Sequence, residues 1–291
     1  MTATGVCIAG QPLAERFSAF SFVDQITELE PGTRAKGRFT VPEAVSEFPT
    51  CLVAEAIGQL AAWVAMAHLD FRLRPVAGIA REARFLGGVK PGQTLELEIE
   101  LEGCDDDAVA YGGCARVDGA KVVELSQCVG PMLPLAEFDD PGAVRAQLAV
   151  LRATGAPIGR FRGVDRPEAV VIERTHGERL RVDLRWPESA AFFGDHFPRR
   201  PVLPGTLLLD SQMRLALELA GEATPGRPLN PVRVTDVKIR SFIAPGQLVA
   251  LEVAMLPSAG ANGTATASLG ARVGGKPAAT ARIEMAAGGA P

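Results

Sequence analysis

The chain has 291 residues, 47% of them hydrophobic, enough to bury one large core or two ordinary ones. Its formal net charge is -4 and its basic residues are scattered, so nucleic-acid binding is not expected. The five cysteines are an odd number without metal-ligand spacing, which is typical of reduced thiols. Neither a secretory signal nor a membrane-spanning apolar run is evident. We therefore expect a soluble, cytoplasmic protein, with two domains slightly favoured.

The predicted elements follow one another in two similar series. Residues 52–68 are apolar on nearly every face, which predicts a helix enclosed by protein on most sides. The alternation over 94–102 predicts a strand with one buried face. The segment 138–157 begins with Asp and Pro, which predicts a linker helix, with a broken strand connection as the alternative. A second enclosed helix (206–220) and alternating strand (247–256) follow, so we expect a sheet wrapped around each long helix.

The two series are copies of one unit. The segments REARFLGGVKPGQTLELEIEL (81–101) and VTDVKIRSFIAPGQLVALEVA (234–254) both place a basic, apolar strand ahead of Pro-Gly-Gln. The segments ARVDGAK and ARVGGK match at nearly the same offset, about 155 residues, and two matches at one offset indicate a duplication. We expect one copy over residues 1–135 and another over 159–291, joined by a linker helix within 136–158.

The copies differ just ahead of their long helices. Prolines anchor the alignment there, Pro42 with Pro187 and Pro49 with Pro204, but the first copy is about ten residues shorter. What it lacks is the segment GDHFPRRPVLPG, which holds His196, one of only three histidines in the chain. The other two histidines lie outside this motif, and we expect them to be structural. A zinc site is not expected, because the histidines and cysteines lack ligand spacing.

Three features occur together: a helix wrapped by a sheet, a His-Phe-Pro loop ahead of a Pro-Gly helix start, and an acid inside the helix. In this combination the chain resembles the hotdog-fold 3-hydroxyacyl-acyl-carrier-protein dehydratases. The stretches FVDQITELEPG, EAIGQLA and ARFLGGVKPGQ also resemble parts of such a domain, so the resemblance covers nearly the whole chain. It implies an α+β double hotdog. Two antiparallel sheets, each wrapped around a long central helix, would pair as a dimer within one chain.

The resemblance also implies where the active site lies. Family members act as dimers in which each site takes its histidine from one subunit and its acid from the other. Carried over to this chain, the second copy supplies His196 and the first supplies Glu55. We call each pairing of an acid from one copy with a histidine loop from the other a crossing. The other crossing would pair Asp210 with the loop that the first copy lacks, so we expect that site to be inactive. Gln59, one turn after Glu55, resembles the glutamine that helps to hold the family's acid, with a glutamine at the edge of the core as the alternative. Arg214 at the corresponding position of the second copy departs from the pattern.

The chemistry explains why these residue types are needed. Dehydrating a 3-hydroxyacyl thioester requires a base at C2, an acid for the leaving hydroxyl, and a donor for the thioester oxygen. Neutral histidine, with an ordinary pKa of ~6.5, suits the base. Burial in an apolar helix would raise the pKa of Glu55 and keep its proton available. Pro204 and Gly205 open the second helix, so Gly205 is the expected oxyanion donor, with Phe197 and Pro204 as supporting residues.

Four arginines form a candidate basic rim. Arg199 and Arg200 follow the histidine, and Arg81 and Arg84 precede the first Pro-Gly-Gln turn. Such a rim suits the phosphate of phosphopantetheine or an acidic carrier-protein helix, with solvated arginines as the alternative. We expect the substrate to be carried on the phosphopantetheine of acyl carrier protein or of CoA, and no metal or redox cofactor to be required.

The sequence therefore predicts a dehydratase that converts (3R)-3-hydroxyacyl thioesters to trans-2-enoyl thioesters, or an enoyl hydratase when the reaction runs in reverse. A hotdog thioesterase, in which a carboxylate activates water, is the alternative among enzymes. A non-catalytic acyl-binding or assembly subunit is the alternative outside them. We expect an acyl tunnel between the two long helices. Because hotdog surfaces pair readily, a homo-oligomer of such chains is a further expectation.

Overall fold

A computed structural model describes residues 7–8, 11–12, 16–17, 19–164, 166–257 and 264–288. Nearly all the described strands belong to one antiparallel sheet of 13 strands. A separate two-stranded sheet pairs β1 (Cys7–Ile8) with β2 (Gln11–Pro12). The large sheet has two similar halves, each built around one long helix.

The first half of the sheet has six strands on its main path, and a short seventh strand pairs with one of them. Its spatial order is β3-β4-β7-β8-β9-β6, with β5 paired to β9. The strands are β3 (Gln25–Glu30), β4 (Arg34–Thr40), β5 (Leu73–Pro75), β6 (Ile79–Phe85), β7 (Thr94–Cys104), β8 (Ala108–Val117) and β9 (Ala120–Pro134).

The second half repeats this order as β10-β11-β13-β14-β15-β12. Each of its strands therefore has a counterpart on the main path of the first half, as the internal duplication predicts. The strands are β10 (Ala169–Thr175), β11 (Arg179–Arg185), β12 (Leu229–Ile239), β13 (Leu248–Leu256), β14 (Thr264–Val273) and β15 (Lys276–Ala287).

The two halves meet where β6 pairs antiparallel with β12. Val234 lies opposite Ala83 and Val237 opposite Ala80, and the Ile239 amide donates to the Gly78 carbonyl at 2.7 Å. Each strand would otherwise be an open edge with unpaired backbone groups, which pairing satisfies. The two sheets predicted from the sequence are thus halves of one continuous sheet.

Each half encloses one long apolar helix, α1 (Thr50–His68) in the first and α4 (Gly205–Ala223) in the second. Strands β4, β7 and β8 pack on α1, and β12, β13 and β14 pack on α4. By length and apolar composition alone α1 resembles a membrane span. More than half of its residues are nevertheless buried within the protein, including Leu52, Ala56 and Leu60, as in the core helix of a sheet-wrapped domain.

The connections carry the differences between the halves. The segment between β11 and α4 covers 186–204 and contains a short helix, α3 (Phe192–Asp195), whereas the matching segment before α1 covers only 41–49. Helix α2 (Pro141–Ala153) lies between the halves in sequence, and the Asp140 carboxylate caps it by accepting from the Ala143 amide at 2.9 Å. The helix lies inside the predicted linker segment.

Gly113 on β8 marks a close approach of α1 to the sheet, and it allows a test of this packing. A Cβ added there would lie 2.6 Å from the Glu98 carbonyl oxygen and 2.8 Å from Ile57 Cγ2. We expect Gly113→Ala to lower the free energy of unfolding in urea by about 1–3 kcal/mol, because the backbone must shift. The control is Gly103→Ala on β7, where a Cβ meets nothing within 4 Å. Equal losses in both variants would contradict this close packing.

Candidate active site

A cavity of about 280 Å³ lies between the two halves of the molecule. Glu55 of α1 and His196 both line it, together with Gln59, Phe197 and Gly205. These are five of the residues that the sequence singles out. Residues distant in the chain and from different copies therefore share one cavity, as the crossed arrangement predicts.

His196 is positioned by the short helix α3 and by two phenylalanines. Its backbone N–H donates to the Phe192 carbonyl at 2.9 Å at the end of that helix. The imidazole stacks on Phe197, with ring centroids 4.0 Å apart, and meets the ring of Phe20 edge-on at 5.4 Å. Its Nδ1 lies 3.3 Å from the Val202 carbonyl oxygen. A proton on Nδ1 satisfies that carbonyl and leaves Nε2 as the acceptor.

Burial controls the protonation of this imidazole. Burial, together with the positive charge of Arg74 and against the opposing hydrogen bond to Val202, lowers the pKa of His196 to about 3. The ring is therefore neutral throughout the neutral pH range. A neutral imidazole with one free nitrogen is able to accept a proton.

Glu55 reaches the same cavity from α1 and is held on both oxygens. Its Oε2 accepts from the Thr206 hydroxyl at 2.8 Å, and its Oε1 accepts from the Gln59 amide at 3.1 Å. Gln59 is itself fixed, because its amide donates to the Phe20 carbonyl at 2.9 Å and its Oε1 accepts from the Phe22 amide at 2.8 Å. Burial raises the pKa of Glu55, although the hydrogen bonds from Thr206 and Gln59 oppose this shift.

The start of α4 presents backbone N–H groups to the cavity. Gly205 and Thr206 are its first residues, and both line the cavity. A Cβ added to Gly205 would lie 3.5 Å from Ile239 and 3.7 Å from Ala77, which is ordinary van der Waals contact. No neighbour in the described part of the chain thus requires glycine here. The missing side chain leaves room for a ligand to approach the helix start, where unpaired donors and the helix dipole favour negative charge.

Phe197 holds the histidine loop in a backbone conformation that few residues adopt. Its φ is 66°, in the left-handed region, which costs of order 1–3 kcal/mol for such a residue and persists only where surrounding contacts impose it. The guanidinium of Arg74 lies 4.1 Å over its ring, and Phe138 meets the ring at 4.9 Å. The Arg199 amide donates to the Phe138 carbonyl at 2.9 Å. The loop is therefore clamped by residues from before α2.

Comparison with known proteins shows the family to which the chain belongs. Residues 172–267 match the family model described as ApeI-like, ApeI dehydratase. The 3-hydroxyacyl-(acyl-carrier-protein) dehydratase FabZ of Clostridium acetobutylicum is 36% identical over 114 residues, which are 35% of this chain and 80% of that protein. The chain belongs to the FabZ-type family of hotdog dehydratases.

Two more FabZ proteins show how much of the chain is matched. FabZ of Bacillus subtilis is 39% identical over 120 residues, covering 36% of this chain and 83% of that protein. FabZ of Rhizorhabdus wittichii is 34% identical over 101 residues, covering 33% of this chain and 62% of that protein. Each match covers about a third of the chain, and the family model covers the segment that holds His196 and the start of α4.

Solved structures extend the similarity to both halves, at the level of the fold alone. An oleoyl thioesterase from Lactobacillus plantarum has a TM-score of 0.58 at 11% identity and covers 89% of this chain and 98% of its own. The tesB protein of Mycobacterium avium subspecies paratuberculosis has a TM-score of 0.58 at 16% identity and covers 91% and 96%. The predicted double hotdog is thus confirmed.

The corresponding place on the other side of this FabZ-type chain holds ion pairs. Asp210 accepts from Arg214 at 2.8 Å and lies 3.9 Å from Arg166. Glu47, from the shorter loop of the first copy, pairs with Arg166 and lies 3.2 Å from Arg214. Asp210, Glu47 and Arg166 line a separate cavity of about 350 Å³, and no histidine is among its described lining residues. That this crossing is inactive stays a prediction.

The arginines that follow the histidine are engaged with the segment before α2. Arg199 pairs with Asp140 at 2.9 Å, and Arg200 pairs with Glu137 at 3.3 Å. Both guanidinium groups are about half exposed, at 46% and 48%. Their ion pairs hold the loop in place, and a role in binding a carrier stays a prediction.

Other residues singled out in the sequence lie outside the cavity lining. Arg81 is exposed on β6, and Arg84 lies 3.6 Å from Glu124. His176 lies 3.4 Å from Glu222 in a surface turn. Pro204 does not line the cavity either, but it sets the start of α4, where its carbonyl accepts from the amides of Leu207 and Leu208, the third and fourth helical residues.

Three further residues belong to the site although the sequence motifs do not single them out: Arg74, Phe20 and Thr206. Arg74 on β5 and Phe20 ahead of β3 contact the histidine loop across the fold, and no local motif announces such contacts. Thr206 directly follows the Pro-Gly pair, and its hydroxyl donates to Glu55. A hydroxyl in the first turn of the second helix is a feature of the sequence from which a hydrogen-bond partner for the acid on the other helix could have been predicted.

The low pKa of His196 predicts a pH-dependent loss of stability. In the unfolded chain the imidazole protonates near its ordinary pKa of about 6.5, whereas in the folded protein it does so only near a pKa of about 3. Between these values the unfolded state binds the extra proton, so stability falls as pH falls. Relative to His196→Asn, the wild type should lose about 1.4 kcal/mol per pH unit below that upper value.

Urea unfolding of both proteins between about pH 7.5 and pH 4.5 measures this difference. Asp24, whose pKa burial raises to about 6, and Glu55 are present in both chains, so their own titrations largely cancel. A difference in unfolding free energy that stays constant across the range would show that the buried imidazole titrates normally.

Proposed function

We propose that this chain dehydrates (3R)-3-hydroxyacyl thioesters to trans-2-enoyl thioesters at one composite site. The observation that supports it most is the meeting of groups from both copies at one buried cavity. Glu55 comes from the first copy, and Thr206 and His196 come from the second. Membership of the FabZ-type family supports the same reaction class.

His196 acts as the base in the proposed reaction and Glu55 as the acid. His196 Nε2 takes a proton from C2, and the electron pair of that C–H bond moves onto the thioester oxygen before it forms the new C2–C3 double bond. The C3–O bond breaks, and the proton of Glu55 passes to the departing oxygen, which leaves as water. A proton then returns from the imidazolium to the glutamate. Run in reverse, the same steps hydrate an enoyl thioester.

Burial prepares each group for its part. It keeps the imidazole of His196 unprotonated and therefore able to accept, and it favours the protonated form of Glu55. The Thr206 hydroxyl and the Gln59 amide orient the carboxyl group. One environment thus supplies a base and an acid at the same pH.

The start of α4 supplies the third element of the reaction. Removing the C2 proton places negative charge on the thioester oxygen, and the N–H of Gly205 is the proposed donor to it. The space that an absent Cβ leaves there allows the carbonyl to approach. The positive end of the helix dipole favours the developing charge, and a donor of this kind is typically worth about 3 kcal/mol of barrier.

The rest of the cavity suits an acyl chain. Its wall consists mainly of small and aliphatic side chains from α1, from α4 and from the neighbouring strands, including β6 and β12, where the two halves meet. The residues are Ala54, Gly58, Ala62, Ala80, Ala83, Leu125, Leu208, Leu209, Val237 and Ile239. The thioester would be carried on the phosphopantetheine of acyl carrier protein or of CoA, with Arg199 and Arg200 as the proposed contacts for its phosphate.

The reaction is tested by the absorbance of the enoyl thioester when the protein is mixed with crotonyl-CoA or a crotonyl carrier protein. Wild type should remove the band by hydration. His196→Ala and Glu55→Gln should each lower kcat/KM by about 10²–10⁴, because each removes one proton-transfer group. Asp210→Asn is the matched control and should retain wild-type activity.

Two outcomes would overturn the proposal. A wild type that is silent on both carriers excludes this reaction, and release of free thiol in the same assay would indicate a thioesterase instead. If Asp210→Asn loses as much activity as Glu55→Gln, the assignment of a single crossed site is wrong.

Gly205→Ala tests the helix start separately. We expect kcat/KM to fall at least about tenfold, because a Cβ would occupy the space for the thioester. Stability should hold or rise by up to about 1 kcal/mol, since Ala is the better helix former and its Cβ meets only ordinary contacts. Gly221→Ala, in the same helix with nothing within 4 Å, is the control for activity and melting temperature. Unchanged activity in Gly205→Ala would remove Gly205 from the proposed mechanism.

A further inference from the structure

Arg74 places a guanidinium group inside the candidate active site. It lies on β5 in the first half and lines the cavity with Glu55 and His196. One face of the guanidinium covers the ring of Phe197 at 4.1 Å, and Phe197 in turn stacks on the imidazole at 4.0 Å. The group is therefore packed next to the residues that carry the proposed reaction.

This guanidinium has no hydrogen-bond acceptor of its own. In the part of the chain that the structure describes, no carbonyl or side-chain oxygen accepts a hydrogen bond from Arg74, and its Nε is buried without a partner. Leaving a buried donor unpaired is unfavourable, and more so when the group is charged. Stacking on Phe197 uses the face of the group and leaves the N–H donors at its edge unused.

The acids around the cavity are already engaged elsewhere. Both oxygens of Asp139 accept from Arg16, at 2.9 and 3.0 Å. Asp195 accepts from the amides of Ala19 and Phe20 at 2.6 and 2.9 Å.

Glu55, the remaining acid of the lining, is bonded to Thr206 and Gln59. The Nε of Arg16, which also lines the cavity, is a second buried donor without a partner. Among the described residues that line the cavity, Arg74 and Arg16 thus each keep a buried Nε donor without a partner.

We propose that the acyl group taken by this site carries an acceptor oxygen, a carboxylate in the preferred case, which binds the guanidinium of Arg74. The inference rests on the proposed function and specifies its substrate class. A carboxylate matches the planar edge of a guanidinium, and the bond is strong where water is excluded. A plain alkyl chain in the same place would leave the charged donors unpaired. Arg74 would then separate oxygenated acyl thioesters from simple fatty acyl thioesters.

Binding of saturated thioesters tests this without turnover, because they have no double bond to hydrate. Glutaryl-CoA is compared with pentanoyl-CoA by calorimetry, and the comparison is repeated with the ω-carboxylated and plain CoA esters of six and eight carbons. Wild type should bind the carboxylated ester of the fitting length at least about tenfold more tightly than its alkyl match. Arg74→Met should remove this preference, and Arg74→Lys should keep part of it.

Arg72→Met is the matched control. Arg72 lies two residues away, is exposed, and pairs with Asp106 at 3.0 Å, so its loss should leave the preference unchanged. The wild-type comparison stands by itself if Arg74→Met fails to fold, which its melting temperature will show, and Arg74→Lys keeps the charge in that case. Equal binding of the two series by wild type at every length, or a preference that survives in Arg74→Met, would overturn the inference.

The two proposals fail in different ways. Hydration of crotonyl-CoA without any preference for carboxylated esters leaves the dehydratase standing and removes the role of Arg74. A preference that depends on Arg74, in a protein that hydrates no enoyl thioester, removes the dehydratase and leaves the binding group in place.

Discussion

The antiparallel pairing of β6 with β12 is the constraint on which the rest of the structure depends. It joins two half-sheets into one, so the helix enclosed by each half has a fixed position against the other. Only in that position does the Thr206 hydroxyl at the start of α4 reach Glu55 on α1. The same two strands form a wall of the cavity through Ala83 and Val237. One strand pairing therefore builds the fold and brings the site together.

Burial in this joint acts on the two titratable groups in opposite directions. Both shifts have one physical cause, since a charged form is unfavourable away from water, whether it is imidazolium or carboxylate. The pKa of His196 falls and that of Glu55 rises. Each contact from a neighbour, Val202 for the histidine and Thr206 for the glutamate, opposes its shift only in part. Burial thus keeps the imidazole of His196 neutral and favours the protonated form of Glu55, the two states that the proposed reaction requires.

The sequence predicts well what is local or periodic, and poorly what is brought together by the fold. The enclosed helix predicted over 52–68 is α1, and the repeat alignment shows that the first copy lacks the loop that contains His196. Both features are predictable because apolar periodicity and repeats can be read along the chain. The pairing of the half-sheets and the clamp of Arg74 on Phe197 follow no such pattern. They depend on contacts between distant segments, which a single sequence does not encode in any recognisable spacing.

The duplication explains why one side of the molecule is free to change. A chain with two copies contains two crossings, and one complete crossing is enough for one site. On the other crossing, Arg214 stands where the first copy has Gln59, and it pairs with the acid that it would otherwise orient. Arg166 adds a second positive charge beside Asp210, and Glu47 bridges the two arginines. These ion pairs join the shorter loop of the first copy, through Glu47, to α4 of the second copy, so they link the two halves at a place where no reaction is proposed.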